Sequence, residues 1–146
     1  MAITSAICNS FKQEILEAEH NFTASTGNTF NLALYTSSAT LGAGTTAYTS
    51  SNEITNTSGT AYSAKGKALT SVTPTLDSST AVCDFADVSW TSASFTANGC
   101  LIFNDSHSTD AAVCAVAFGG DKTVSSGTFT IQFPAAAATT AIIRIA

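Results

Sequence analysis

Two histidines, His20 and His107, are the only imidazoles in a 146-residue chain in which Ser and Thr make up about three residues in ten. Serine chemistry would therefore have to pass through one of them. The loop Asn104-Asp105-Ser106-His107-Ser108-Thr109-Asp110 holds a nucleophile, a base and an acid in Ser106, His107 and Asp110. Catalytic triads converge from separate segments, and five adjacent positions on one polar loop do not offer that geometry. No G-x-S-x-G elbow occurs to expose a serine at the tip of a strand. His20 reads as a surface histidine at a helix end. The expectation is a non-enzymatic protein with no catalytic residue.

Metal chemistry has two candidate ligand sets. Cys100, His107 and Cys114 are soft donors, but their spacing matches no zinc module and both cysteines sit among apolar residues. Asp105, Asp110 and Asp121 are hard donors suited to calcium, without a D-x-D-x-D-G loop to gather them. They read as solvated turn carboxylates, so no metal and no cofactor is expected. Cys8, Cys83, Cys100 and Cys114 show no C-x-x-C spacing and read as reduced core thiols. Asn21, Asn56 and Asn104 begin N-x-S/T acceptor patterns, which a Ser/Thr-rich chain produces by chance.

Tyr35, Tyr48, Tyr62 and Trp90 could stack on sugar rings, although aromatics at strand positions usually fill a core. The segment Asn52 to Leu69, NEITNTSGTAYSAKGKAL, is more distinctive. It places Glu53, one of few acids in the second part of the chain, before a Gly/Thr turn, Tyr62 and Lys65-Gly66. Glu53 either serves its own loop or, with Tyr62, meets a neighbouring subunit.

Charge narrows the partners. Five basic residues against ten acidic ones give a net charge of -5. Phosphate neutralisation needs clustered Lys and Arg, so nucleic acid is excluded as an expected partner. No apolar run reaches the 18 residues of a membrane span, and no basic-then-apolar leader opens the chain, so a cytoplasmically made, soluble product is expected. At this length one core suffices.

The elements that would position these groups are mostly strands. Thr4 to His20 has Ile7, Phe11, Ile15 and Ala18 at helical spacing, with Ser5 as the cap. It predicts one N-terminal helix over an arm of residues 1–27, whose stripe of Ile7, Phe11 and Ile15 either docks on a partner or covers the core. Strand patterns follow at 29–36, 61–62, 67–74, 81–85, 88–91, 95–96, 100–103, 111–118, 128–133 and 141–145, with a polar loop at 37–48. Many short strands between turns predict an all-β domain over 28–146, an antiparallel β-sandwich of jelly-roll or immunoglobulin-like type. Phe118 to Pro134, FGGDKTVSSGTFTIQFP, reads as a hairpin in which one strand ends in Gly119-Gly120-Asp121, a polar turn follows and a second strand resumes at Thr128 to Phe133. Phe129, Ile131 and Phe133 then share one face, and Thr128, Thr130 and Gln132 the other.

Together, Phe30-Asn31-Leu32-Ala33-Leu34-Tyr35, Asn52-Glu53-Ile54, Gly59-Thr60-Ala61-Tyr62, Trp90, Phe118-Gly119-Gly120-Asp121-Lys122 and Gly127-Thr128-Phe129-Thr130-Ile131 resemble small virion proteins of tailed bacteriophages. The resemblance spans about Phe30 to Ile145. It implies a structural part of the virion: a capsid cement or decoration subunit, or else a small tail or baseplate component. The expected partners are the major capsid protein or other virion proteins and further copies of the chain, as a homotrimer. A carbohydrate-binding module is the alternative from another class.

Overall fold

The computed structural model describes residues 2–55 and 57–146. Along them run β1 (Ala6–Ile7), α1 (Asn9–Leu16), β2 (Phe30–Tyr35), β3 (Lys67–Ala68), β4 (Ser71–Asp77), β5 (Thr80–Phe85), β6 (Val88–Asn104), β7 (Ala111–Ile131) and β8 (Ile143–Ile145). The named strands pair antiparallel in a five-stranded sheet ordered β1-β7-β6-β2-β3 and a three-stranded sheet ordered β4-β5-β8. The fold is mostly β with one short helix, as the strand patterns predict.

The strands are fewer and longer than expected. The three patterns at 88–91, 95–96 and 100–103 are one strand, β6, whose irregularities fall where its pairing with β7 shifts register. The predicted hairpin over 118–134 is likewise a correction. β7 runs straight through Gly119-Gly120-Asp121, and both of its halves pair with β6 rather than with each other. The chain reverses instead at the loop between Asn104 and Ala111. Ala97 pairs with Lys122 and Gly99 with Ala117, so β7 spends five residue steps where β6 spends two. Gly119 and Gly120, at φ 75° and 141°, supply the backbone that such a bulge needs. The polar residues after Asp121 do not reverse the chain, and turn chemistry cannot say which strand lies opposite. The alternation itself holds: Phe129, Ile131 and Phe133 are half-buried, while Thr128, Thr130 and Gln132 are exposed.

The N-terminal helix is shorter than its apolar spacing suggests. Ala6–Ile7 pairs with Ala115 and Cys114 on the edge of β7. Ser5 is not a cap, because its Oγ accepts the Ala117 N–H at 2.9 Å, and Cys8 stands at the N-cap without a side-chain bond to the helix. Left-handed Ala18, at φ 61°, follows the C-cap Glu17 and ends the helix. An open sheet edge offers the backbone of Ala6 and Ile7 hydrogen bonds that a helical turn would only replace. Residues 2–27 are not an arm standing clear of the rest. Ile3, Cys8, Phe11 and Phe22 belong to the same buried cluster as Leu32, Trp90 and Leu101.

Both sheets contribute to that cluster. The Phe85 ring on β5 lies 6.1 Å from Phe30 on β2 and 5.4 Å from Phe133 beyond β7. β2, between β6 and β3, is buried at Phe30, Leu32, Ala33, Leu34 and Tyr35, so both of its faces are covered. Pro74 sits in edge strand β4, where pairing with β5 breaks between Val72 and Thr75. A residue without an N–H fits such a place, and it blunts the edge against further strands.

Candidate functional site

The densest polar constellation gathers around Glu53, which is 8% exposed. Its position follows from the end of β2: Tyr35 bridges to Glu53, and the Ile54 N–H bonds to Leu34 O at 2.9 Å. The carboxylate therefore points inward beneath the loop that follows. Glu53 Oε2 accepts the Tyr48 hydroxyl at 2.6 Å, while Oε1 accepts the Tyr62 hydroxyl at 2.7 Å and the Lys65 N–H at 2.8 Å. Tyr62 in turn accepts the Leu34 N–H at 2.9 Å, and Tyr35 donates to Thr49 O at 2.7 Å.

Gly66 makes this approach feasible. It stands at φ 67°, and a Cβ there would lie 1.8 Å from Leu32 O. Only glycine lets the Lys65-Gly66 turn lie this close to β2. The turn then sends the Lys65 side chain outward, where Nζ meets Asp105 Oδ1 and Asp110 Oδ2, both at 2.9 Å. The ammonium also lies 5.7 Å from the Tyr48 ring centroid. One chain of contacts thus links Glu53 to the loop between β6 and β7.

The electrostatics are those of a closed network. Burial, then donation to Glu53, pushes Tyr48 up to about 12 and Tyr62 still higher. Burial likewise raises Tyr35. The Asp110 and Asp105 carboxylates raise Lys65. Each oxygen of Glu53 already has a donor, and phenols shifted upward do not lose protons near neutrality. The arrangement can pin three loop segments to β2, but it presents no free base or nucleophile.

Ser106, His107 and Asp110 do not assemble. Ser106 Oγ accepts the Thr29 N–H at 2.8 Å, His107 Nε2 faces Glu19 at 3.4 Å, and Asp110 holds Lys65. Asp105 shares that lysine, whereas Asp121 accepts from Asn98 at 2.8 Å. The three aspartates therefore form no common cation site. Among the described residues no group of three His, Cys, Asp or Glu side chains could hold a metal. Cys8, Cys100 and Cys114 are buried free thiols, and Cys83 is partly covered.

Of the candidate contact residues, Phe11, Glu53 and Tyr62 are buried, while Ile7 and Ile15 are half-buried. Phe11 is 3% exposed and its ring is 5.0 Å from His20, Ile15 packs on the core, and Ile7 sits in β1. Glu53 and Tyr62 are buried against each other. An outside partner cannot reach Phe11, Glu53 or Tyr62 in this conformation. The sugar-stacking set is also mostly enclosed: Tyr35, Tyr62 and Trp90 are core residues, and half-buried Tyr48 has its hydroxyl on Glu53. Asn104 is fully buried, so its acceptor pattern is inaccessible, while that of Asn56 lies outside the described residues.

The residue most misjudged from sequence is His20. Its side chain is 0% exposed, packed among Phe11, Phe22 and Phe30. Phe22, two residues on, was the available sign that this stretch turns inward. Among the described residues no helix is long and apolar enough to cross a membrane. No family model, curated protein or solved structure matches the chain.

Proposed function

We propose that the protein is a non-enzymatic structural component of a tailed-phage virion, a cement or decoration subunit that binds the head lattice as a homotrimer with the major capsid protein as partner. We read its two sheets as the layers of a β-sandwich that carries the binding face. The observation that supports this reading is the outer surface of the β6–β7 pair. There Ser89 and Thr130 hydroxyls meet at 2.8 Å, Thr96 and Thr123 at 2.8 Å, Asn98 and Asp121 at 2.8 Å, and the Ser126 N–H bonds to Ser94 Oγ at 2.8 Å.

These exposed rungs are almost uncharged and already ordered by their cross-strand partners. A surface of this kind loses little side-chain freedom on binding and desolvates few charges. Its contact per copy is weak, and a repeating lattice multiplies weak contacts. The residues of the phage-protein resemblance lie on the same pair, on β2 beside it and on the Glu53 network that ties loops to β2.

The test is reconstitution. Purified protein added to heads lacking it saturates at a stoichiometry comparable to the shell subunit and restores resistance to heat. Thr96→Arg and Thr130→Arg, on the exposed rungs, reduce binding without changing the unfolding midpoint. Heads that take up no protein would contradict the reading. Uptake by tails alone would transfer the role to a tail or baseplate subunit.

A further inference from the structure

His20 is a buried titratable group that the Glu53 network does not use, and its hydrogen bonds specify its proton. Asn104, fully buried at the end of β6, accepts the Ser106 N–H on Oδ1 at 3.0 Å. Its Nδ2 donates to Glu19 O at 3.2 Å and faces His20 Nδ1 at 3.1 Å. With Oδ1 engaged by Ser106, the amide presents an N–H to the ring, so Nδ1 must be the acceptor. The proton of neutral His20 is then on Nε2, where it reaches Glu14 Oε2 at 2.7 Å.

A second proton has no place in this arrangement. On Nδ1 it would face the Asn104 N–H, donor against donor. Turning the amide over would give His20 an acceptor but break the bonds that Asn104 makes to the Ser106 N–H and the Glu19 carbonyl, both on exposed residues that can turn to water instead. Either response undoes a tie between the end of the helical segment and the loop joining β6 to β7. The other titratable groups near the ring do not relieve the conflict. Glu14 on α1 holds the Nε2 side, so it keeps the ring with the helix. Glu19, just beyond α1, directs its carboxylate to His107 Nε2 at 3.4 Å. His107, from the loop, stacks on His20 with centroids 6.3 Å apart. Asp105 and Asp110 are engaged by Lys65.

We propose that His20 is a proton-operated latch: the neutral imidazole, through Asn104, fastens residues 19–20 to the β6–β7 loop, and the imidazolium releases that loop while remaining paired with Glu14. The loop is also the outer attachment of Lys65, so release would loosen the side of the fold that holds the Lys65 side chain. This inference rests on the hydrogen-bond geometry and is independent of the virion reading.

The experiment uses the intact protein and two readouts between about pH 8 and pH 5, the range in which imidazoles as a class change charge. Nitrogen-15 NMR of the ring at pH 8 should show Nε2 protonated and Nδ1 bare. As His20 takes up its second proton, the exchange protection of the Ser106 amide, corrected for the intrinsic pH effect, should fall about tenfold, equivalent to one lost hydrogen bond. His107→Asn should keep this transition. A ring protonated on Nδ1 at pH 8 would overturn the latch. So would a His20 that stays neutral down to pH 5, Ser106 protection that ignores its titration, or a transition that vanishes in His107→Asn.

Discussion

Tyr62 donates its hydroxyl to Glu53 at 2.7 Å and accepts the Leu34 N–H at 2.9 Å, so one buried phenol couples a carboxylate to the backbone of β2. The pair explains why an acid and a tyrosine nine residues apart stand in an otherwise hydroxyl-rich loop. Their roles are to satisfy each other and to hold the loop against the sheet.

Removing either partner should therefore be costly. Tyr62→Phe leaves the Leu34 N–H buried without its acceptor and should lower stability by about 1–3 kcal/mol. Glu53→Ala strands two hydroxyls and the Lys65 N–H, and should cost more than about 3 kcal/mol. In urea unfolding, the double variant should show a coupling of about 1 kcal/mol or more. Simple additivity would mean that the two residues act separately.

Gly66→Ala should destabilise by more than about 1 kcal/mol, because the residue is left-handed and its Cβ would meet Leu32 O. Gly44→Ala, with open space around it, should stay within about 0.5 kcal/mol. Comparing their thermal midpoints tests whether close approach to β2 is what the turn requires.

Phe11→Ala should cost about 3–5 kcal/mol, with the protein still melting in a single transition. Phe11→Asp should prevent folding altogether, since it buries a charge within an aromatic cluster. A well-folded Phe11→Asp protein, seen by circular dichroism, would restore the N-terminal segment as a separate arm.

Stability should decline on the alkaline side. Burial raises Cys8 and Cys83 from 9.0 to about 11, Cys100 to about 12, and Tyr48 from 10.0 to about 12. The folded chain keeps these protons at pH values where the unfolded chain has released them. Their contribution is complete below about pH 9 and is lost as pH rises toward 12. The urea midpoint should be level from pH 7 to 8.5 and fall steadily above 9. A midpoint unchanged at pH 11 would contradict the burial of these groups.

The local patterns were readable where a side chain's face was decided by period alone. Phe30, Leu32 and Leu34 mark β2, and Phe129, Ile131 and Phe133 keep their alternation in β7. Pairing was not readable, because Gly119-Gly120 has the same composition in a turn as in a bulge, and only Ala97 opposite Lys122 decides between them. Ile7 fitted a helical stripe and also an edge strand, and the open edge of β7 decided. Glu53, Tyr62 and Lys65 were visible as a group, but the inward direction of Glu53 and Tyr62 and the outward one of the Lys65 side chain depend on Gly66 lying against Leu32. His20 was hidden because its partner Asn104 is 84 residues away.

If the subunit is distributed over a phage head, as proposed, localisation on intact virions will show it. Antibody or tag labelling, followed by imaging of whole particles, should show an even coat on the head with a copy number comparable to the shell subunit. Label confined to the tail, or none on the particle, would rule out a head subunit.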